Sequence, residues 1–282
     1  MKYRALVTCL LLAASGVATA ADCKPQTQID VATIKPQAIL VGEVHGTEQT
    51  PAFVAGLVCS LLNAGRPVVL ALERSSEEQV AIDRYIDSEG SETDRQALLS
   101  NGAWTWPMQD GRNSQAVLAL IDSIRLLRRA GQSVGILAMQ HFPNPSLPKA
   151  SKQPNGPSGA LLSRMNDRFM ADMIAAVMGQ HPDHTIVALA GNFHTATTAA
   201  AWAEPGHQPV GEVLAALVPI YVIGLSAKEG GNSWNCTGPN DCGARAMIGG
   251  PMYVQGNQID AIAELGKISA SAPAAPAAPA SK

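Results

Sequence analysis

Charge is scarce in this chain. Only 15% of its 282 residues are Asp, Glu, Lys or Arg, and the formal net charge is −3. Nucleic-acid binders usually carry a basic surplus, so that class is disfavoured. No glycine-rich phosphate loop follows an apolar run, in either the G-x-x-x-x-G-K-[ST] or the G-x-G-x-x-G form, so nucleotide chemistry is disfavoured too. There is no Gly-x-Ser-x-Gly elbow and no cysteine beside a plausible base, which argues against a covalent serine or thiol mechanism. After the N-terminal segment, no run of about 20 apolar residues is available to span a bilayer. Paired C-x-x-C spacing, the mark of many zinc sites, is also missing.

What is present begins with a targeting pattern. Lys2 and Arg4 form a basic start, Ala5 to Ala14 an apolar run, and Ala18-Thr19-Ala20 a small-residue cleavage site. This predicts a signal peptide over residues 1–20 and a mature protein that is periplasmic or secreted, without a transmembrane anchor. Export changes how the cysteines read. Cys9 leaves with the signal, and Cys23, Cys59, Cys236 and Cys242 form an even set in an oxidising compartment. Cys236 and Cys242 bracket a turn-forming Thr-Gly-Pro-Asn-Asp segment, so a local bridge is the simplest pairing. Cys23 with Cys59 would then tie the mature N-terminus to the first helix.

At 46% hydrophobic content the chain can bury a full core. Ala38–Gly42, Pro67–Glu73, Ser133–Met139 and Thr185–Ala190 are short apolar runs, alternating with segments of helical periodicity. Val218–Gly224 reads as a further strand and Met252–Val254 as a last one. That order predicts an α/β fold, a mostly parallel sheet flanked by helices. About 60 residues separate the second and third strands, more than a crossover needs. They predict a helical cap insertion over roughly residues 75–112, with Ser75 or Ser76 capping its first helix and Trp104 and Trp106 in its last loop. An Ala/Thr-rich helix is expected from about Thr195 to Ala203. The α/β domain spans residues 21–268, and the Ala/Pro-rich tail, residues 269–282, is expected to be disordered.

The strands end in titratable groups. Glu43 and His45 follow the first strand, Glu73 ends the second, His141 follows the third, and Asn192 and His194 follow the fourth. In a parallel sheet these exits share one edge, where open α/β sheets bind ligands. Three imidazoles and two carboxylates there could hold a divalent metal, through His45, Glu73, His194 and His141. They could equally supply a general base and an orienting carboxylate for hydrolysis. Arg74 and Arg112, with Asp110 nearby, could pair an anionic group on a ligand. His207, in Glu-Pro-Gly-His, reads as solvated.

These residues carry a resemblance. Gly42-Glu43-Val44-His45-Gly46-Thr47, Glu73 at a strand end and Gly191-Asn192-Phe193-His194 resemble the superfamily that joins ChaN-like haem-binding uptake proteins, Tiki/TraB-type proteins and erythromycin esterases. The helix holding Asp167, Met170, Ala171 and Asp172, and Trp104-x-Trp106-Pro107, look most like the ChaN branch. The similarity covers roughly residues 37–200. It implies an exported protein of iron or haem uptake, binding haem or a divalent metal through His45, Glu73, Arg74, Arg112, Asn192 and His194, with haem shared between two copies in a homodimer. The Tiki-like branch implies a metal-dependent protease. The esterase branch implies hydrolysis by His45, Glu43, Glu73 and His194. Where the ChaN pattern commonly has Tyr after Trp-Pro, this chain reads Met108-Gln109-Asp110, which leaves the axial ligand unassigned.

Overall fold

The computed structural model describes residues 23–106, 108–141, 159–201, 203, 205–238 and 241–277; for residues 159–163 it describes the backbone alone. The proposed signal segment lies outside the described residues.

Five parallel strands form the heart of the sheet: β1 (Ala38–Glu43), β2 (Val68–Ser75), β3 (Val134–Gln140), β4 (Thr185–Gly191) and β5 (Ile220–Ala227). Their order is β3-β2-β4-β1-β5, so β4 inserts between the first two strands. β1 is buried along its whole length, and only one residue of β2 is not fully buried. That is why their sequences read as continuous apolar runs rather than alternating ones. The alternation appears instead in which layer each side chain enters. Ile39, Val41, Leu70 and Leu72 pack towards α1 (Gln49–Asn63), α2 (Gln79–Ile86), α3 (Glu92–Leu99) and α4 (Gln115–Arg129). Leu40, Ala71, Ala188 and Ala190 pack towards α5 (Gly159–Gln180) and α6 (Val210–Ala215) on the other face. The small alanines on this second face bring α5 close to the strand ends.

The segment between β2 and β3 is helical as expected. Ser75 accepts from Glu77 N–H, and Glu78 reaches back to Ser75 N–H at 3.1 Å, closing a capping box. α2 packs beside α4 and β3, and α3 beside α2, while Trp104 in the following loop is fully buried. β3 is an edge strand, and its outer side is occupied by a side chain. Gln79 Nε2 donates to Ile136 O at 2.9 Å, and Ala138 N–H donates to Gln79 Oε1 at 2.7 Å.

Three expectations need correction. No helix forms over residues 195–201. Thr195 Oγ1 donates to Asn192 O, and Thr198 N–H donates to Asn257, so local polar bonds outcompete the helix. The C-terminal third adds β6 (Gly231–Gly238) and β7 (Asp241–Met247), an antiparallel hairpin with Cys236 opposite Cys242, and then β8 (Gly250–Pro251) and β9 (Ala261–Glu264) against β5. The last strand read at Met252–Val254 is therefore displaced to these two short strands. Of the tail expected to be disordered, residues 269–275 run against the domain in hydrogen bonds and bridges, while residues 278–282 lie outside the described residues. Both expected disulfides, Cys23–Cys59 and Cys236–Cys242, are formed. Among the described residues no helix is long and apolar enough to cross a membrane.

Candidate functional site

The strand order places the carboxyl ends of β2, β4 and β1 side by side, with Glu43 in register with Gly191. Glu73 leaves β2 at the centre of this edge and is 6% exposed. A buried carboxylate must be fully paired, and this one is. Its Oε2 accepts the Gly191 N–H at 2.7 Å, and its Oε1 accepts Arg112 Nη1 at 3.0 Å and Gln140 Nε2 at 3.2 Å. Arg112 is itself held by Asp110, whose two oxygens lie 3.0 and 3.1 Å from its Nε.

Two imidazoles face Glu73 from either side. His45 Nε2 lies 3.5 Å from one oxygen and His194 Nε2 lies 3.7 Å from the other. The far nitrogen of each ring is anchored by its own carboxylate. His45 Nδ1 donates to Glu43 at 2.9 Å, and His194 Nδ1 donates to Asp167 at 2.5 Å. Anchoring one ring nitrogen fixes ring orientation and tautomer, leaving Nε2 for chemistry. The gaps to Glu73 are longer than direct hydrogen bonds, which suits a small polar group between them. Gly191 keeps that space clear: a Cβ there would stand 3.2 Å from His45 Nε2 and 3.5 Å from both Glu73 Oε2 and His194 Cδ2.

The charges hold one another. Burial disfavours a protonated His45, but Glu73 and then Glu43 outweigh it and hold the ring at about 9. His194 is raised too, with Glu73 and Asp167 overcoming burial. Burial alone would raise Glu73, yet His194, His45 and Arg112 bring it down to about 2. The sign of each shift sets a stability window. His45 contributes fully below its ordinary value of 6.5, and that contribution is lost as pH rises through about 9. Glu73 contributes fully above 4.5, and that is lost as pH falls through about 2. The melting temperature is expected to plateau between pH 4.5 and 6.5, the two ordinary values, and to decline from pH 7 towards about 9.5; a rise over that alkaline interval would contradict the arrangement.

Two expected site residues, His141 and Asn192, fall elsewhere. His141 is exposed, its ring 5.1 Å from Phe169. Asn192 turns away to donate to Met252 O at 2.9 Å. Arg74 is buried against Glu78 with its guanidinium over Trp104, 4.0 Å from the ring centre, and lines a cavity shared with Glu73 and Arg112. Arg112, not Arg74, therefore meets Glu73, and Asp110 is its partner rather than a free acid. His207 is no solvated loop residue, since its Nε2 lies 3.2 Å from Asp167. Asp167 itself has no exposed surface. Its signal was a carboxylate three and seven residues before Met170 and Ile174, on the buried stripe of α5.

A cavity of about 370 Å³ opens beside Glu73, Arg112 and Asp110, walled by Trp106 and Met108 with Glu77 at its rim. That size suits a small organic ligand. The implied cofactors fit less well. With the ring nitrogens facing carboxylates, no group of three or more His, Cys, Asp or Glu among the described residues is placed to hold a metal ion. The cavity lining contains no histidine; Met108 is its one side chain of a kind that ligates haem iron.

No protein-family model and no curated protein sequence matches the chain. Solved structures do. An erythromycin esterase, EreC, in its open conformation superposes with a TM-score of 0.54 at 12% identity, over 76% of this chain and 76% of that one. A succinoglycan biosynthesis protein gives 0.53 at 12% identity, over 76% and 71%. The haem-bound ChaN of Campylobacter jejuni gives 0.40 at 17% identity, over 76% and 88%, too loose a superposition to argue from. At such identities the likeness is one of fold.

Proposed function

We propose that this protein is a hydrolase of small carboxylic esters in which His45 and His194 move the protons. One observation carries the reading: two histidine–carboxylate pairs present their Nε2 atoms to the same space beside Glu73. In this reading the neutral His45 takes a proton from water as the water oxygen adds to the ester carbonyl. Protonated His194, steadied by Asp167, gives a proton to the departing alcohol oxygen. Arg112 holds Glu73 in place between them. The adjoining cavity, with Trp106 and Met108, receives the apolar part of the ester. The fold likeness to an erythromycin esterase is consistent with this chemistry. The two disulfides support export to an oxidising compartment, periplasmic or extracellular.

The reaction needs one imidazole neutral and the other charged, whereas the free site holds His45 protonated at neutral pH and favours the charged form of His194 as well. Ester turnover is therefore expected to rise between pH 7 and 9 with an apparent pKa belonging to the pair. His45→Ala should cut kcat by at least about 100-fold at its optimum. Purified protein assayed on a panel of p-nitrophenyl esters checks both statements. Absence of turnover across the panel, or turnover undiminished in a folded His45→Ala variant, would sink the hydrolase reading.

A further inference from the structure

The Ala/Pro-rich C-terminal segment touches both loops of the site. Ser269 O accepts the Glu48 N–H at 2.9 Å, Ala270 bridges Thr47, and Ser271 N–H donates to Gly46 O at 2.9 Å. These bonds grip the loop that carries His45. The same segment then crosses to the loop that carries Asp110 and Arg112. Gln115 N–H donates to Ala272 O at 2.8 Å, Pro273 bridges Ser114, and Ala274 N–H donates to Asn113 O at 2.9 Å. Ala116 N–H donates to Ser271 Oγ at 2.9 Å, and Gln109 Nε2 donates to Ala275 O at 2.7 Å. The first amides of α4, which lack helical partners, are thus satisfied by this segment.

The two loops meet under it. A Cβ on Gly111 would stand 2.4 Å from Gly46 Cα, so the backbones are in direct contact. Gly46 O also accepts the Trp234 N–H at 2.8 Å, which adds the β6–β7 hairpin to the same junction. The segment itself brings little apolar surface: its residues are Ser, Ala and Pro, and Ala275 is its buried member of the main core. Most of its bonds are to backbone at a junction, rather than to the centre of the core.

We infer that Ser269–Ala275 is a positioning strap that fixes the His45 loop against the Arg112 loop and so sets the site's geometry for turnover. This rests on the hydrolase reading for its kinetic consequence, though not for its structural one. The test compares the full chain with one ending at Ile268, using one ending at Ala277 as control. Circular dichroism and thermal melting report folding. The shorter chain should stay folded while kcat falls about 10- to 100-fold, as expected for a misplaced reacting group, with KM little changed. The control should match the full chain. A synthetic peptide of residues 269–277 should restore part of the lost kcat when added in trans. Full kcat in the folded Ile268 chain would overturn the strap. Should that chain not fold, Ser271→Pro in the full chain removes the donor to Gly46 and the acceptor of Ala116; unchanged kcat there overturns it equally. If the full chain turns over no ester, the hydrolase reading fails but the strap is still tested. NMR titration of the His45 ring should then show a lower pKa in the truncated or Ser271→Pro protein, and an unmoved titration would refute the strap.

Discussion

Replacing Glu73 with glutamine is expected to lower ester turnover by roughly 10³- to 10⁴-fold, as much as losing both histidines together. The amide can still accept the Gly191 N–H and fill the same volume, so the fold should survive. What disappears is the negative charge shared by two imidazoles. After burial, Glu73 is the largest influence on both His45 and His194, and it raises both. Without it, His45 should titrate well below about 9, and the residual activity should shift to lower pH. The shift separates an electrostatic role from simple packing. A Glu73→Gln enzyme with its pH profile in place and only its rate reduced would contradict the account. Arg112 would also lose its buried partner and keep Asp110 as its acidic one.

The second large effect concerns stability. Arg74→Ala is expected to cost about 3–5 kcal/mol, because it strands Glu78 as an unpaired buried charge. Glu78 is 1% exposed and Arg74 is 4% exposed. Arg74 also donates to Arg112 O at 2.7 Å and covers the face of Trp104. The variant therefore loosens the loop that carries Arg112 while weakening the core beneath it. Changing the pair together, Arg74→Met with Glu78→Leu, should recover a large part of the loss, since no lone charge remains. Urea unfolding of the three proteins measures this. A single variant within about 1 kcal/mol of the parent would show that the pair carries no such weight.

How much of this was legible in the sequence follows from what each residue depends on. Glu43, His45, Glu73 and His194 were legible because a buried parallel strand is a continuous apolar run, and its exit is fixed by the run's end. Asp167 and His207 were not, since their meeting with His194 depends on how α5 and the loop before α6 lie over the sheet. Arg74 and Arg112 could not be told apart by type. Both line the cavity, but neighbouring residues of a strand point to opposite faces, so with Glu73 turned to the imidazoles Arg74 takes Glu78 and Trp104 as its partners. His141 and Asn192 stood at the right strand ends, but side-chain direction, not position, decides membership. The segment 269–275 misled through composition: small residues look unable to order themselves, yet here their backbone groups pair with two loops that already exist. The Thr and Ala residues after His194 favoured a helix by count, while Thr195 bonds back to Asn192 and Thr197 reaches Asn257 instead.

Gln79 has a consequence beyond the fold that it completes. An edge strand offers its unpaired amides and carbonyls as a template on which a foreign strand can add. β3 borders the sheet beside β2, and its middle is already occupied by a side-chain amide that copies the donor and acceptor of a neighbouring strand. The helix that bears this amide thus acts as a chain terminator for sheet growth. A protein that must find its native form without joining others at their edges gains a built-in stop, held in place by one glutamine.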